Sequence, residues 1–262
     1  MQINNGHADT FDTAAAAYDR WRPTYADALY ADLFTASPIG PGSRVLEIGI
    51  GTGQATRPVL ETGCSLTAVE PGRNLAAFSE EKFCFFQNFQ TVTTTFEDFP
   101  GENGSFDLIY AATAFHWVKE EIGYEKVFRL LKSGGVFARF ANRPCPDPAQ
   151  SQLNDAIQAL YAEYMPGRSK APPSPFTAAQ AESIAAIAGR YGFTDLSCRL
   201  YRRKRTFTGE EYTQLLGTYS DHLALKESLR REFFARIREA IELSGNRLVL
   251  LDTMDLELAR KP

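Results

Sequence analysis

The sequence predicts an α/β protein built on a mostly parallel sheet with helices on both faces. Two observations carry that expectation. Short β-rich runs alternate with helical stretches from residue 44 to residue 140, the pacing of βαβ units. One of those runs, Val45-Leu46-Glu47-Ile48, closes directly on Gly49, Gly51 and Gly53, a turn that would carry the chain from strand to helix beside a ligand.

The elements follow in order. Residues 11–36 repeat Tyr18, Trp21, Tyr25, Leu29, Leu33 and Phe34 at helical spacing. Pro23 lacks an N–H and clashes inside a helix, so two helices separated near residues 22–24 are expected. Strands are expected at 44–48, 66–69, a weaker one near 84–89, then 106–111 and 135–140. Helices at 54–61, 75–82 and 124–131 come between them. Past Asn142, the prolines 144, 146 and 148 open a helix-rich segment over 149–164. Residues 165–176 hold four prolines and a glycine and read as a surface loop. A helix over 178–191 should stop at Gly192. A strand at 196–207, helices near 209–219 and 225–244, and a strand at 247–258 complete the chain. The last two strands would supply the antiparallel edge of a seven-stranded sheet.

Composition excludes several function classes. The net charge is −4, which argues against a nucleic-acid partner, since phosphate neutralisation needs a basic excess. Cys64, Cys84, Cys145 and Cys198 lie far apart and have no histidine at ligand spacing, so no metal site is expected. They read as small hydrophobes in a reducing compartment. Residues 1–11 lack the basic and apolar regions of a leader, and no apolar run approaches the length of a membrane span. A cytoplasmic enzyme is the expectation.

The chemistry concentrates at the glycine turn. Its spacing is Gly-x-Gly-x-Gly rather than the Gly-x-Gly-x-x-Gly of dinucleotide sites. Glu47, two residues before the first glycine, would repel a pyrophosphate but suits a cationic amino group. The same turn is also met as a plain tight connection between strand and helix. Glu70 closes the second strand, where a carboxylate can accept both hydroxyl protons of a ribose. An acidic residue there is otherwise a solvated strand end.

Along residues 11–141 the chain resembles the class I, Rossmann-like S-adenosylmethionine-dependent methyltransferases, and within them the small-molecule branch related to trans-aconitate methyltransferase. The likeness rests on Phe11, Tyr18-Asp19-Arg20, Arg22-Pro23, the run from Val45 to Gly53, Val69-Glu70-Pro71, Thr95-Phe96-Glu97-Asp98-Phe99-Pro100, Phe106-Asp107-Leu108, Ala114-Phe115-His116-Trp117 and Leu130-Leu131-Lys132-Ser133-Gly134-Gly135. The resemblance implies one domain in four parts: residues 1–40 a helical lid, 41–142 the cofactor-binding core, 143–192 a helical insert, and 193–262 the strands and helices that complete the sheet. It implies that S-adenosylmethionine is the cofactor and S-adenosylhomocysteine the product. Glu47 would anchor the methionine amino end, Gly49, Gly51 and Gly53 would cradle the cofactor through their backbone, Glu70 would take the ribose, and Pro71 would line the adenine. Thr95 stands where many relatives place an aspartate toward the adenine amino group. Phe96 would compensate by stacking or through its N–H, and Ala111 would leave room for the sulfur.

The acceptor side is read more loosely. Phe115, His116 and Trp117 follow the fourth strand, where open α/β sheets place their crevice. His116 is either a general base or, with Trp117, part of the pocket wall. Tyr18, Arg22 and Tyr25 either reach the cofactor carboxylate or an anionic substrate, with Tyr18 a second catalytic candidate, or form the buried stripe of an amphipathic helix. Within the basic run Arg199, Arg202-Arg203-Lys204-Arg205, alternation places Arg203 and Arg205 on one face. Arg203 would serve a carboxylate substrate there, or the run is a charged edge strand. The expected reaction is in-line methyl transfer to a small acceptor, a carboxylate among the candidates, by a monomer or homodimer without nucleic-acid or membrane partners. The competing readings are a regulatory protein that binds the cofactor without turnover, and an NAD(P)-dependent oxidoreductase.

Overall fold

A computed structural model describes residues 15–168 and 174–262; expectations placed on residues 1–14, Phe11 among them, and on 169–173 lie outside these. The N-terminal helices are α1 (Ala15–Trp21) and α2 (Asp27–Ala36), broken around Pro23 as its missing N–H requires. β1 (Arg44–Ile48), α3 (Thr56–Leu60), β2 (Ser65–Val69), α4 (Arg73–Lys82), β3 (Phe89–Val92), β4 (Phe106–Ala112), α5 (Glu120–Leu130) and β5 (Leu131–Pro146) follow. Then come α6 (Ser151–Tyr164), α7 (Ala178–Ala185), β6 (Thr194–Phe207), α8 (Gly209–Leu216), α9 (Ser220–Leu223), α10 (Glu227–Leu243) and β7 (Leu248–Arg260).

Seven strands make one sheet in the order β3-β2-β1-β4-β5-β7-β6. The first five are parallel, and β7 runs antiparallel between β5 and β6. Successive side chains point to opposite faces, and each face has its own core. Val45, Leu108, Val136 and Leu256 join Leu29 and Leu33 of α2 on one side. Leu46, Ile109 and Phe137 join Val127 and Leu130 of α5 on the other. A third cluster gathers α6, α8 and α10 with the end of β6 and the start of β7, including Ile157, Phe207, Leu215, Phe233, Ile237 and Leu248. Among the described residues, no helix is long and apolar enough to cross a membrane, and no group of three potential metal ligands occurs.

Two expectations are corrected. The third strand is Phe89–Val92, not residues 84–89. The apolar run Cys84-Phe85-Phe86 is the turn after α4: Phe86 packs against the first core while Phe85 is 89% exposed. The fifth strand does not stop at Phe140, and the insert does not begin at residue 143. β5 continues to Pro146, pairing with β7 through Pro144↔Asp252 and Pro146↔Leu250. Even-numbered residues here turn their backbone groups toward β4, as the bond from Thr113 N–H to Phe140 O shows. β4 has ended by Ala112, so the donors that Pro144 and Pro146 lack would have met no strand.

Candidate active site

The turn after β1 sits at the carboxyl edge of the sheet, where open α/β folds bind ligands. Glu47 is 1% exposed; its Oε2 accepts from the Thr56 hydroxyl and the Tyr110 hydroxyl, both at 2.7 Å. Burial pushes its carboxyl up to about 7 against the opposing pull of those two bonds. The protein therefore holds a carboxyl balanced between its two states at the point where the turn begins.

The three glycines differ in what they do. A side chain on Gly49 would strike Ala114 Cβ at 2.6 Å, and one on Gly53 would enter the Phe83 ring at 2.3 Å. Both are required by the protein's own packing. At Gly51 (φ +57) a Cβ would meet nothing within 4 Å, so this residue faces open space. Glu70 borders that space. Its Oε2 accepts from Gly51 N–H at 2.9 Å and its Oε1 from Gly72 N–H at 3.0 Å, which fixes the plane of a carboxylate only 6% exposed. A carboxylate oxygen accepts more than one hydrogen bond. A carboxylate in a fixed plane beside an open turn, with Pro71 exposed at its rim, fits a ribose diol and the chain attached to it.

Residues 46–138 match the family model described as a methyltransferase domain. This stretch is a methyltransferase domain of the S-adenosylmethionine-dependent kind. It is 27% identical over 176 residues to an uncharacterised methyltransferase of Mycobacterium bovis, covering 67% of this chain and 69% of that one. Its fold is similar to a structure from Anaeromyxobacter dehalogenans described as a type II methyltransferase, with TM-score 0.63, 20% identity, and coverage of 91% and 97%. It is also similar to phosphoethanolamine N-methyltransferase 2 of Haemonchus contortus in complex with S-adenosyl-L-methionine, with TM-score 0.57 and 17% identity. That match covers 96% of this chain but only 57% of the Haemonchus chain.

In this methyltransferase the other expected site residues are scattered more widely than the sequence suggested. Thr95 is exposed; its hydroxyl donates to Asp98 Oδ2 at 2.8 Å and accepts from Asp98 N–H at 3.2 Å. Phe96 is 3% exposed within the second core, so its ring is not placed to stack on a ligand and only its backbone remains for contact. Ala111 is likewise packed inside that core; the alanine that closes against the glycine turn is Ala114.

The acceptor candidates divide between the two faces. Tyr25 is buried in the first core, its hydroxyl 2.6 Å from Thr113 Oγ1, which holds a non-glycine residue at φ +54 just past β4. Arg22 lies between the rings of Tyr18 and Tyr219 at 4.7 and 4.1 Å and donates to Thr218 O at 2.8 Å. Arg203 does share a face with Arg205, but both donate to Asp252, a side chain with no exposure. Arg203 also donates to Thr24 O, in the link between α1 and α2. These arginines are committed to structure rather than to a pocket. On the other face, Phe115 packs on Phe137 and Tyr124, while His116 and Trp117 are exposed side by side, ring centroids 4.9 Å apart. Desolvation, and then the charges of Arg139 and Arg143, press the His116 imidazole below its usual pKa, favouring the neutral ring.

Arg139 and Arg143, whose charges act on His116, and their cross-strand partners Asp255 and Glu257 belong to no motif in the sequence. A signal was present: Asp252, Asp255 and Glu257 interrupt an otherwise apolar strand, and acids persist on such a strand only where something balances them.

Proposed function

We propose that this chain transfers a methyl group from S-adenosylmethionine to a small acidic molecule entering beyond the ends of β4 and β5. The observation that carries the cofactor half is Glu70, its two oxygens locked by Gly51 and Gly72 N–H groups against an open turn. The cofactor supplies an electrophilic methyl on a sulfonium; the bond to the acceptor forms as the carbon–sulfur bond breaks, and sulfur keeps the electron pair.

The residues of this chain bind and orient. Glu70 takes the ribose hydroxyls, and Glu47, once ionised, faces the amino group of the methionine portion. Gly51 leaves room for the chain between them. Asp98, fixed by Thr95, supplies the acidic acceptor toward the adenine amino group that Thr95 itself lacks. Lid helix α1 closes over the turn and excludes water. Neutral His116 stands where it can take a proton from an acceptor that carries one. No further catalytic apparatus is needed, since near-attack positioning supplies most of what a sulfonium requires.

The test is calorimetric titration with S-adenosylmethionine, S-adenosylhomocysteine and NADH on wild type and Glu70→Gln. The amide presents a donor to one of two backbone donors, so the sulfur cofactors should bind wild type and weaken at least ~10-fold in the variant. NADH binding alone would overturn the reading. Cofactor binding without transfer of labelled methyl to any acid, phenol or amine would leave a binding protein instead of an enzyme.

A further inference from the structure

Where β5 outruns β4, it pairs only with β7, and that pair carries a charged cluster the cofactor turn does not use. Arg139, Ala141 and Arg143 lie opposite Glu257, Asp255 and Thr253, so all six side chains share one face. Arg143 grips Asp255 with two bonds, Nε to Oδ1 at 3.0 Å and Nη2 to Oδ2 at 2.8 Å. This leaves the Nη1 edge of the fork uncommitted to Asp255. The Asp255 side chain is wholly buried, while that of Arg143 is 37% exposed. The guanidinium lies 4.1 Å from the ring of Phe176.

One turn deeper, Arg139 donates to the Tyr124 hydroxyl, yet its Nε is buried without a partner. Glu257 is 5% exposed, and its Oε1 is also buried without a partner. Two orphaned polar atoms in one cluster are costly unless something else completes them. Burial, with Asp255 next to it, pushes the Glu257 carboxyl well above the carboxylate range.

Space lies alongside. A shallow, open groove runs between Phe176 and α7, lined by Phe176, Ala179, Gln180, Ser183 and Ile184. Ile184 lines both this groove and a cavity of about 10 Å³ that reaches Arg139 and Glu257. That cavity holds about one water, and Ile184 is the side chain it shares with the groove.

We propose that Arg139 and Arg143 are the specificity-determining residues of this methyltransferase, binding one carboxylate of a small organic acid that enters past Phe176. This rests on the methyl-transfer reading above and adds the group that selects the acceptor. Arg143 offers its outer edge, Arg139 its unpartnered Nε, and Phe176 a flat wall against the carbon skeleton. The bound acid would lie beside His116, beyond the end of β4.

The test measures binding to the S-adenosylhomocysteine complex, so it does not depend on finding the natural acceptor. A panel of aromatic and short aliphatic carboxylic acids, each paired with its primary amide, is titrated by thermal shift and calorimetry. At least one acid should bind ten-fold or more tighter than its amide, since a charge-assisted fork distinguishes the two. Arg143→Met alone would strand Asp255, so it is made together with Asp255→Asn. The double variant, and Arg139→Gln separately, should abolish the preference while S-adenosylhomocysteine binds as in wild type. Acids and amides binding alike in wild type, or the preference surviving in both variants, overturns the proposal. Failure of S-adenosylhomocysteine to bind wild type would instead bring down the reading beneath it.

Discussion

Asp19 of the lid helix and Lys82 at the end of α4 meet 2.5 Å apart on the glycine turn itself. Lys82 Nζ also donates to Thr52 O at 2.8 Å, and Asp19 Oδ1 accepts from Gln54 Nε2 at 3.1 Å. Both side chains are about three-quarters buried. One ammonium group therefore ties helix α1 to the backbone of the glycine turn. Lys82→Met should leave the fold intact and weaken S-adenosylhomocysteine by ~5-fold, about 1 kcal/mol, chiefly through faster dissociation. Stopped-flow dissociation rates equal to wild type would show that the latch does not restrain the ligand.

The glycines offer a separation of stability from binding. Gly53→Ala drives a methyl into the Phe83 ring at a positive φ, and should cost ~2–4 kcal/mol of stability. Gly51→Ala has only the backbone strain, ~1–2 kcal/mol, yet its methyl occupies the open side of the turn. Melting should therefore fall furthest for Gly53→Ala, while Gly51→Ala should lose cofactor binding from a protein that still folds. Equal losses of melting temperature in the two variants would contradict the division of roles.

Glu47 imposes a pH dependence whose sign is set by burial. Its folded pKa, about 7, lies above the ordinary value of 4.5, so the folded apo-protein holds this proton more tightly than the unfolded chain. Its contribution to stability is full below about 4.5 and is lost as pH rises through about 7, a difference of order 3 kcal/mol. Glu47→Gln should flatten that slope in denaturant melts between pH 5 and 7. An ammonium brought to Glu47 by the cofactor favours the carboxylate, so binding at pH 6 should release a proton. Calorimetry in two buffers of different ionisation enthalpy would detect it; identical heats would place the amino group elsewhere.

Arg203 separates structure from recognition. Its Nη2 donates to both Asp252 Oδ2 and Thr24 O, so Arg203→Ala should lower stability by about 2 kcal/mol and loosen the N-terminal helices. Acceptor affinity, measured once an acid is found, should not change beyond what weaker cofactor binding explains. A selective loss of acceptor affinity would return Arg203 to the pocket.

The parallel core was legible because strands buried on both faces are continuous apolar runs bounded by glycines, as β1 and β2 are. β3 was misplaced because an edge strand has less to bury: Phe89-Gln90-Thr91-Val92 is half polar, whereas the preceding turn is rich in phenylalanine. Glu47, Gly51 and Glu70 stood out because their spacing along the chain is itself the motif. Arg139 and Arg143 did not, since their partners Asp255 and Glu257 come from a strand more than a hundred residues later, and pairing register is invisible in one sequence. Arg22 and Arg203 were legible as residues but not as roles, because the acceptors that claim them, Thr218 O and Asp252, are brought near only by the fold.

Pro144 and Pro146 have an effect beyond ending a hydrogen-bond ladder. A strand that overhangs its neighbour is an invitation for another chain to zip alongside, and such edges seed aggregation and intermolecular pairing. Here two of the donors needed for zipping are replaced by pyrrolidine rings on the side that β4 leaves bare. The overhang therefore stays a wall rather than becoming a docking edge, and the opening above β4 remains open to solutes while it is closed to backbones.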